Sequence, residues 1–137
     1  MMTTAIFWPV LALVLWTLAI SLRVAWLRVS GTFKDPSDPK YYDVHNKDNA
    51  PRATVYSGEN LSNLYEMPVL FYAMCIASYL TGNVDHWQVN LAWAFVGFRL
   101  VHSGIHLTYN NIPHRFAAYM LATLALAAMA VRLAMGL

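Results

Sequence analysis

The chain has 137 residues, of which 58% are hydrophobic and only 12% are charged, and its formal net charge is +2. Soluble domains carry about 25% charged residues, so this composition excludes an ordinary soluble domain and indicates a membrane protein. The net charge is too small to indicate a nucleic-acid partner.

Four segments are long and apolar enough to cross a lipid bilayer. Each reaches the roughly 17 to 25 residues that a transmembrane helix needs, once its polar flanks are included. No stretch remains for a separate soluble domain, so we predict one all-α domain over residues 1–137, a four-transmembrane-helix bundle. The predicted helices are at about residues 5–29, 59–82, 86–109 and 115–135.

The first predicted helix has basic residues after its apolar stretch and none before it. Arg23 and Arg28 follow that stretch. A cleaved signal peptide has the opposite arrangement and a shorter apolar stretch. We therefore expect this helix to remain in the protein as a membrane span.

The predicted loop at about residues 30–58 contains KDPSDPKYYDVHNKDNAP, which alternates acidic and basic residues and has three prolines. Such a segment cannot lie in hydrocarbon. It is a connector in water or, given its length, a cover over a site at the same membrane face. Basic residues are concentrated here and absent from the second turn, TGNVDHWQ. The positive-inside rule therefore places this loop in the cytoplasm and both termini outside, and the short remaining connections favour a bacterial inner membrane with periplasmic termini.

Polar residues open the second predicted helix, in the stretch NLSNLYEMPVLFY. Asn60, Asn63 and Glu66 recur at every third position, so we expect them to share one flank of the helix. A carboxylate at membrane depth is costly unless another group pairs with it. Glu66 is therefore predicted to have a partner inside the protein or to belong to a site.

A second polar group lies in the third helix, in FRLVHSGIHLTYNNIPHR. Arg99, His102 and His106 form one stripe, and Arg115 opens the fourth helix just beyond a short turn. Short turns make consecutive helices antiparallel neighbours, so these groups and the start of helix two lie at the same membrane face. We predict a polar pocket there, with a cation available to pair with Glu66. Its expected members are Asn60, Asn63, Glu66, His102, His106 and Arg115.

These residues resemble the pattern of the MAPEG family, the membrane-associated proteins in eicosanoid and glutathione metabolism. The matching features are the Asn-x-x-Glu of Asn63 and Glu66 with a proline soon after, FRLVHSGIH on helix three, and the turn leading to Arg115. The length, the four spans and the long first loop also agree, so the resemblance covers essentially the whole chain.

The resemblance implies a homotrimer that binds glutathione as a co-substrate between subunits, on the cytoplasmic side. Asn63 and Glu66 match the family's residues for the polar ends of glutathione, and Arg115 matches an arginine near the reacting sulfur. Arg99 matches an internal ion-pair partner, and Arg23 or Arg28 matches basic residues that often contribute from helix one. The implied activity is that of a glutathione transferase or peroxidase acting on an apolar electrophile.

Two positions differ from the family pattern, and they leave two alternatives open. Many members have arginine where this chain has Glu59, and tyrosine where it has His106. One alternative is a non-enzymatic accessory or scaffold subunit of a larger membrane complex. The other is a metal or haem site, because His102 and His106 present two imidazoles on one helix face and Glu66 is available as a third ligand.

Overall fold

The computed structural model describes residues 3–34 and 52–137. A 3-10 turn at Thr3–Ile6 leads into four α-helices, and no strand occurs within these two ranges. The predicted all-α fold with four helices is therefore confirmed. The helices are α1 (Phe7–Lys34), α2 (Arg52–Leu80), α3 (His86–Leu107) and α4 (Ile112–Gly136).

Helices α1 and α2 extend into the segment predicted as the first loop, one from each side. Helix α1 continues to Lys34, and α2 begins at Arg52 rather than near residue 59. The first turns of α2 are held against α1, because Arg23 Nε donates a hydrogen bond of 3.2 Å to the buried Ser57 Oγ. The polar composition of this stretch therefore belongs to a helix end and not to a loop. The suggested cover over a site falls on residues 35–51, outside the described part of the chain.

Two helices have the length and apolar composition to cross a membrane on their own: Thr4–Ser30 and Ile112–Gly136. Helices α2 and α3 were also predicted as spans, but their charged and polar residues reduce their hydropathy. Glu66 lies on α2 and Arg99 on α3. The polar side chains that lower the hydropathy of α2 and α3 therefore include residues that the sequence predicted for the site.

The interior of the bundle is apolar in its middle layer. The rings of Phe71 on α2 and Phe95 on α3 stack with centroids 4.5 Å apart. Helix α4 packs most extensively on α3, through a face that includes the buried Ala118, Ala122 and Ala125. Small residues let helix backbones approach closely, and this close packing fixes the start of α4 beside the end of α3.

The turn between α2 and α3 is built from defined helix caps. Gly82 has a φ of +73°, and the Asn83 N–H donates to the Ser78 carbonyl at 2.9 Å, which closes the end of α2. Glycine reaches this left-handed conformation without steric cost. Asp85 then caps α3 by accepting a 2.7 Å hydrogen bond from the Gln88 N–H, and its carboxylate also pairs with Arg132 of α4. Three helix ends are thereby joined at this face.

Replacing Asp85 with alanine is expected to destabilise the protein by about 1 kcal/mol, because the first turn of α3 loses its cap. Asp85→Asn keeps a capping oxygen and loses only the exposed ion pair with Arg132, so it is expected to cost less. Thermal unfolding of the two variants in detergent checks this order. Equal losses would show that the ion pair, and not the cap, stabilises the turn.

The same carboxylate predicts a pH dependence. The hydrogen bond from the Gln88 backbone, aided by Arg132, lowers the pKa of Asp85. A lowered folded-state pKa means that the stabilisation is present above the ordinary aspartate value of about 3.9 and is lost as the pH falls below it. The difference in stability between the native protein and Asp85→Asn should therefore shrink in that acidic range.

Candidate functional site

A cavity of about 190 Å³ lies where α4 begins, lined by residues of α2, α3 and α4. It brings together three of the predicted site residues, Asn63 from α2, His102 from α3 and Arg115 from α4. They meet because the short turn from α3 to α4 places the end of α3 beside the start of α4. The full lining is Asn63, His102, Ile112, Arg115, Phe116 and Tyr119.

Arg115 is oriented by the turn that precedes it. Asn110 has a φ of +46°, a left-handed conformation that asparagine tolerates. Its Oδ1 accepts a 2.6 Å hydrogen bond from Arg115 Nη1. Asn111 caps α4 by accepting from the His114 N–H at 3.1 Å. The Arg115 Nε is buried and has no partner among the described residues.

Arg99 lies behind the cavity wall and is only 1% exposed. One of its terminal nitrogens, Nη2, donates to the backbone carbonyl of Asn63. Its Nε and Nη1 are buried without a partner in the described part of the chain, and its guanidinium lies 6.0 Å from the ring centroid of Tyr119. Arg99 therefore gives this end of the bundle a permanent positive charge.

The predicted pairing of Glu66 needs correction. Glu66 is exposed, and within the described ranges no direct ion pair joins it to Arg99 or Arg115. It acts on Arg99 only by longer-range Coulomb attraction. The reason is its position on α2, where Asn60 is buried, Asn63 is half-buried and Glu66 reaches the surface of the protomer.

The two histidines lie at different depths. His102 lines the cavity, whereas His106 is fully buried next to it, with the two ring centroids 6.0 Å apart. The His106 Nε2 lies 4.0 Å from the Glu59 carboxylate, and the His106 ring lies 6.2 Å from that of Tyr56. The two positions at which the sequence differs from the family pattern are therefore neighbours in space.

A metal site finds little support in the described residues. Among them, no group of three or more His, Cys, Asp and Glu side chains is placed to hold a metal ion. Glu66, the suggested third ligand beside His102 and His106, is exposed on α2. Within residues 3–34 and 52–137, the histidine pair therefore lacks the third protein ligand that such a site requires.

Arg23 and Arg28 of α1 do not line the cavity. Arg28 is exposed on α1 and is not part of the cavity wall. Arg23 instead contacts Ser57 on α2.

Sequence reasoning missed Tyr119 and the role of Asn60. Tyr119 lies four residues after Arg115, on the same face of α4, and that spacing was the available signal. Asn60 does not line the cavity. Its Nδ2 donates to Ser103 Oγ at 2.6 Å, and Trp16 Nε1 donates to the same oxygen at 3.0 Å. This polar contact joins α1, α2 and α3 at Ser103, the residue that follows His102.

Comparison with known proteins identifies the family. Neither curated proteins nor solved structures show a significant match to the chain. The model of the MAPEG family matches residues 6–135, nearly the whole length. The resemblance seen in the sequence is therefore confirmed. With two helices long and apolar enough to cross a bilayer, the chain is an integral membrane protein that belongs to the MAPEG family.

Proposed function

We propose that the chain binds glutathione at the cavity between α2, α3 and α4 and uses it as a co-substrate, as a transferase or peroxidase acting on an apolar electrophile. The observation that carries this proposal is the convergence of Asn63, His102 and Arg115 from three helices on one cavity. Glutathione has two carboxylates, which need cationic donors, and an ammonium, which needs a carboxylate such as Glu66.

Arg115 is the proposed catalytic residue. A free thiol has a pKa of about 8.5, so most of it is protonated at neutral pH, and a neighbouring cation lowers that value. The thiol proton leaves to water and the guanidinium stabilises the thiolate. In the transferase reaction the sulfur then forms a bond to the electrophilic carbon, whose leaving group departs with the bonding electron pair.

The size of the cavity supports a site that a second protomer completes. Ligand pockets usually measure about 300 to 1,000 Å³, and this cavity of about 190 Å³ is smaller. On α2, the exposed Glu66 has exposed apolar neighbours, among them Tyr65 and Val69. A carboxylate on such a surface is costly against lipid. A neighbouring protomer that covers this face would enclose both Glu66 and the cavity, which is the arrangement of the proposed homotrimer.

The proposed orientation puts the cavity at the cytoplasmic face of a bacterial inner membrane, with both termini in the periplasm. Arg23, Arg28, Arg52 and Arg115 all lie towards the cavity end of their helices. At the opposite end, Arg132 is paired with Asp85. This asymmetry agrees with the positive-inside rule.

A thermal-shift measurement tests the proposed binding. A ligand that binds only the folded state raises its melting temperature. Millimolar glutathione is expected to raise the Tm of the detergent-purified protein, and γ-glutamyl-alanyl-glycine, which lacks the thiol, should also do so. Only glutathione should show the ultraviolet absorbance of a thiolate. No shift with either peptide would contradict the proposal and favour the accessory-subunit alternative.

Glu66→Gln is expected to abolish the glutathione-dependent shift while leaving the Tm of the ligand-free protein nearly unchanged. The ammonium of the ligand loses its carboxylate, but no direct ion pair of the described protomer is broken. Glu59→Gln is the matched control on the same helix. It removes a carboxylate that repels the ligand's acidic groups, so binding should persist or strengthen. A large fall in the Tm of ligand-free Glu66→Gln would show that Glu66 is structural.

A further inference from the structure

Asn110 links the end of α3 to the arginine that opens α4. Its backbone N–H donates to the Ile105 carbonyl of α3 at 2.8 Å, and its side-chain Oδ1 accepts from Arg115 Nη1 at 2.6 Å. The backbone hydrogen bond fixes the asparagine to α3, whose His102 lines the cavity together with Arg115. The side-chain hydrogen bond then fixes the Arg115 guanidinium relative to that helix.

The backbone of Asn110 adopts a conformation that most residues avoid. Within residues 3–34 and 52–137, it is the one non-glycine residue with a positive φ, at +46°. Glycine adopts the left-handed conformation without steric cost, as Gly82 does, whereas asparagine only tolerates it. A turn that needed nothing but this backbone shape would be better served by glycine. What asparagine adds is its amide, and the amide oxygen is hydrogen-bonded to Arg115.

This hydrogen bond decides which edge of the Arg115 guanidinium is available to a ligand. One N–H of Nη1 is used by Asn110. The Nε is buried without a partner among the described residues, so it does not face the open cavity that the side chain lines. A guanidinium has five N–H groups. The donors that remain for a ligand are therefore the two N–H groups of Nη2 and the second one of Nη1.

We propose that Asn110 is a positioning residue for thiolate formation, because it turns the Nη2 edge of Arg115 towards the sulfur of glutathione. This role rests on the proposed function of the cavity. Asn110 does not line the cavity, so it acts through the guanidinium and not on the ligand. A guanidinium that is free to rotate must first be ordered before it can donate a charge-assisted hydrogen bond to the thiolate. Holding it in advance removes that cost.

The pH profile of the thiolate absorbance of bound glutathione tests this role. Asn110→Gly keeps the left-handed backbone and removes only the amide. At a fixed pH below the pKa of the bound thiol, it is expected to lower the thiolate fraction by about threefold to tenfold, the scale of one hydrogen bond. The thiol-free peptide γ-glutamyl-alanyl-glycine should bind to Asn110→Gly as it binds to the native protein. An equal loss of both peptides would show a purely structural role and would overturn the proposal.

The other charged and titratable groups near this end of the bundle are the same in both proteins. They are Arg23 on α1, Tyr56, Glu59 and Glu66 on α2, Arg99, His102 and His106 on α3, Tyr109 in the turn, and His114 and Tyr119 on α4. Asn110→Gly changes none of them. A difference between the two pH profiles is therefore assigned to the orientation of the Arg115 guanidinium.

Three further variants make the result specific to Asn110 and Arg115. Asn111→Ser alters the next residue but keeps a capping oxygen for α4, so the profile should not change. Asn110→Asp tolerates the same backbone conformation, and its carboxylate offsets the charge of the guanidinium, so it should also lower the thiolate fraction. In Arg115→Lys, which lacks the planar set of donors, adding Asn110→Gly should have little further effect, because residues that act together are not additive.

The outcomes separate this role from the proposed function itself. Absence of a thiolate signal in the native protein would overturn both. A native thiolate signal that persists unchanged in Asn110→Gly and Asn110→Asp would overturn the positioning role alone. An equal fold loss on adding Asn110→Gly to the native protein and to Arg115→Lys would also overturn it, because Asn110 would then act independently of the guanidinium.

Discussion

Arg115→Ala is expected to abolish glutathione binding within the millimolar range and to remove the thiolate absorbance of the bound ligand. The side chain lines the cavity and carries a positive charge. Losing a charge-assisted hydrogen bond to a carboxylate or thiolate costs more than tenfold in affinity. Thermal-shift titration and ultraviolet difference spectra of the same samples measure the two effects separately.

Two further substitutions test whether the effect belongs to the Arg115 side chain itself. His114→Ala changes the adjacent exposed residue, which does not line the cavity, and should leave both signals intact. Arg115→Lys keeps the charge but not the planar set of donors, so binding should weaken while some thiolate persists. If His114→Ala and Arg115→Ala reduced glutathione binding equally, the loss would come from disturbing the start of α4 and not from removing the Arg115 side chain.

Arg99→Ala is expected to have the largest effect on stability, a loss of about 3 kcal/mol. The side chain is almost completely buried, contacts the Asn63 carbonyl and lies over the Tyr119 ring. Truncation leaves a void of the kind that costs about 2 to 5 kcal/mol in protein cores. Chemical unfolding in mixed detergent micelles measures this loss without the need for any ligand.

Arg99→Met separates packing from charge at the same position. It restores most of the volume and removes a buried charge, whose desolvation is costly. We therefore expect Arg99→Met to be much less destabilising than Arg99→Ala. If the two variants lost equal stability, the charge itself would be required, and Glu66 of a neighbouring protomer would be the partner to examine.

The sequence was sufficient to predict the four helices and the end of the bundle at which their polar residues lie together. Uninterrupted apolar stretches and short turns were sufficient to place four helices in order. The antiparallel arrangement then put Asn63, His102 and Arg115 at one end of the bundle, where the structure shows them around one cavity. The stripe of Arg99, His102 and His106 also shares the buried face of α3.

The rotation of α2 could not be predicted from residue spacing alone. A helix turns by about 100° per residue, so residues spaced by three drift by about 60° at each step. Asn60 and Glu66 are therefore about 120° apart, which is why one is buried beside Ser103 and the other is exposed. Which of the three residues faces the cavity depends on packing against α1 and α3, and the sequence pattern does not contain that information.

The early start of α2 was missed for a related reason. The first turns of α2 were predicted as part of the polar loop, because the segment RATVYSGEN contains few apolar residues. In the structure, Ser57 is buried against α1 and Tyr56 lies near His106. Polar residues at the end of a membrane helix can contact one another as well as water. A hydropathy scale treats each of them only as a group in contact with water.

An electron cryomicroscopy structure of the detergent-purified protein with glutathione tests the central claim most directly. We predict a trimer with one tripeptide at each protomer interface, its sulfur beside Arg115, its ammonium beside Glu66 and Asn63 in contact with its polar backbone. A trimer with empty interfaces at saturating glutathione, or with Glu66 facing lipid and distant from any ligand, would contradict it.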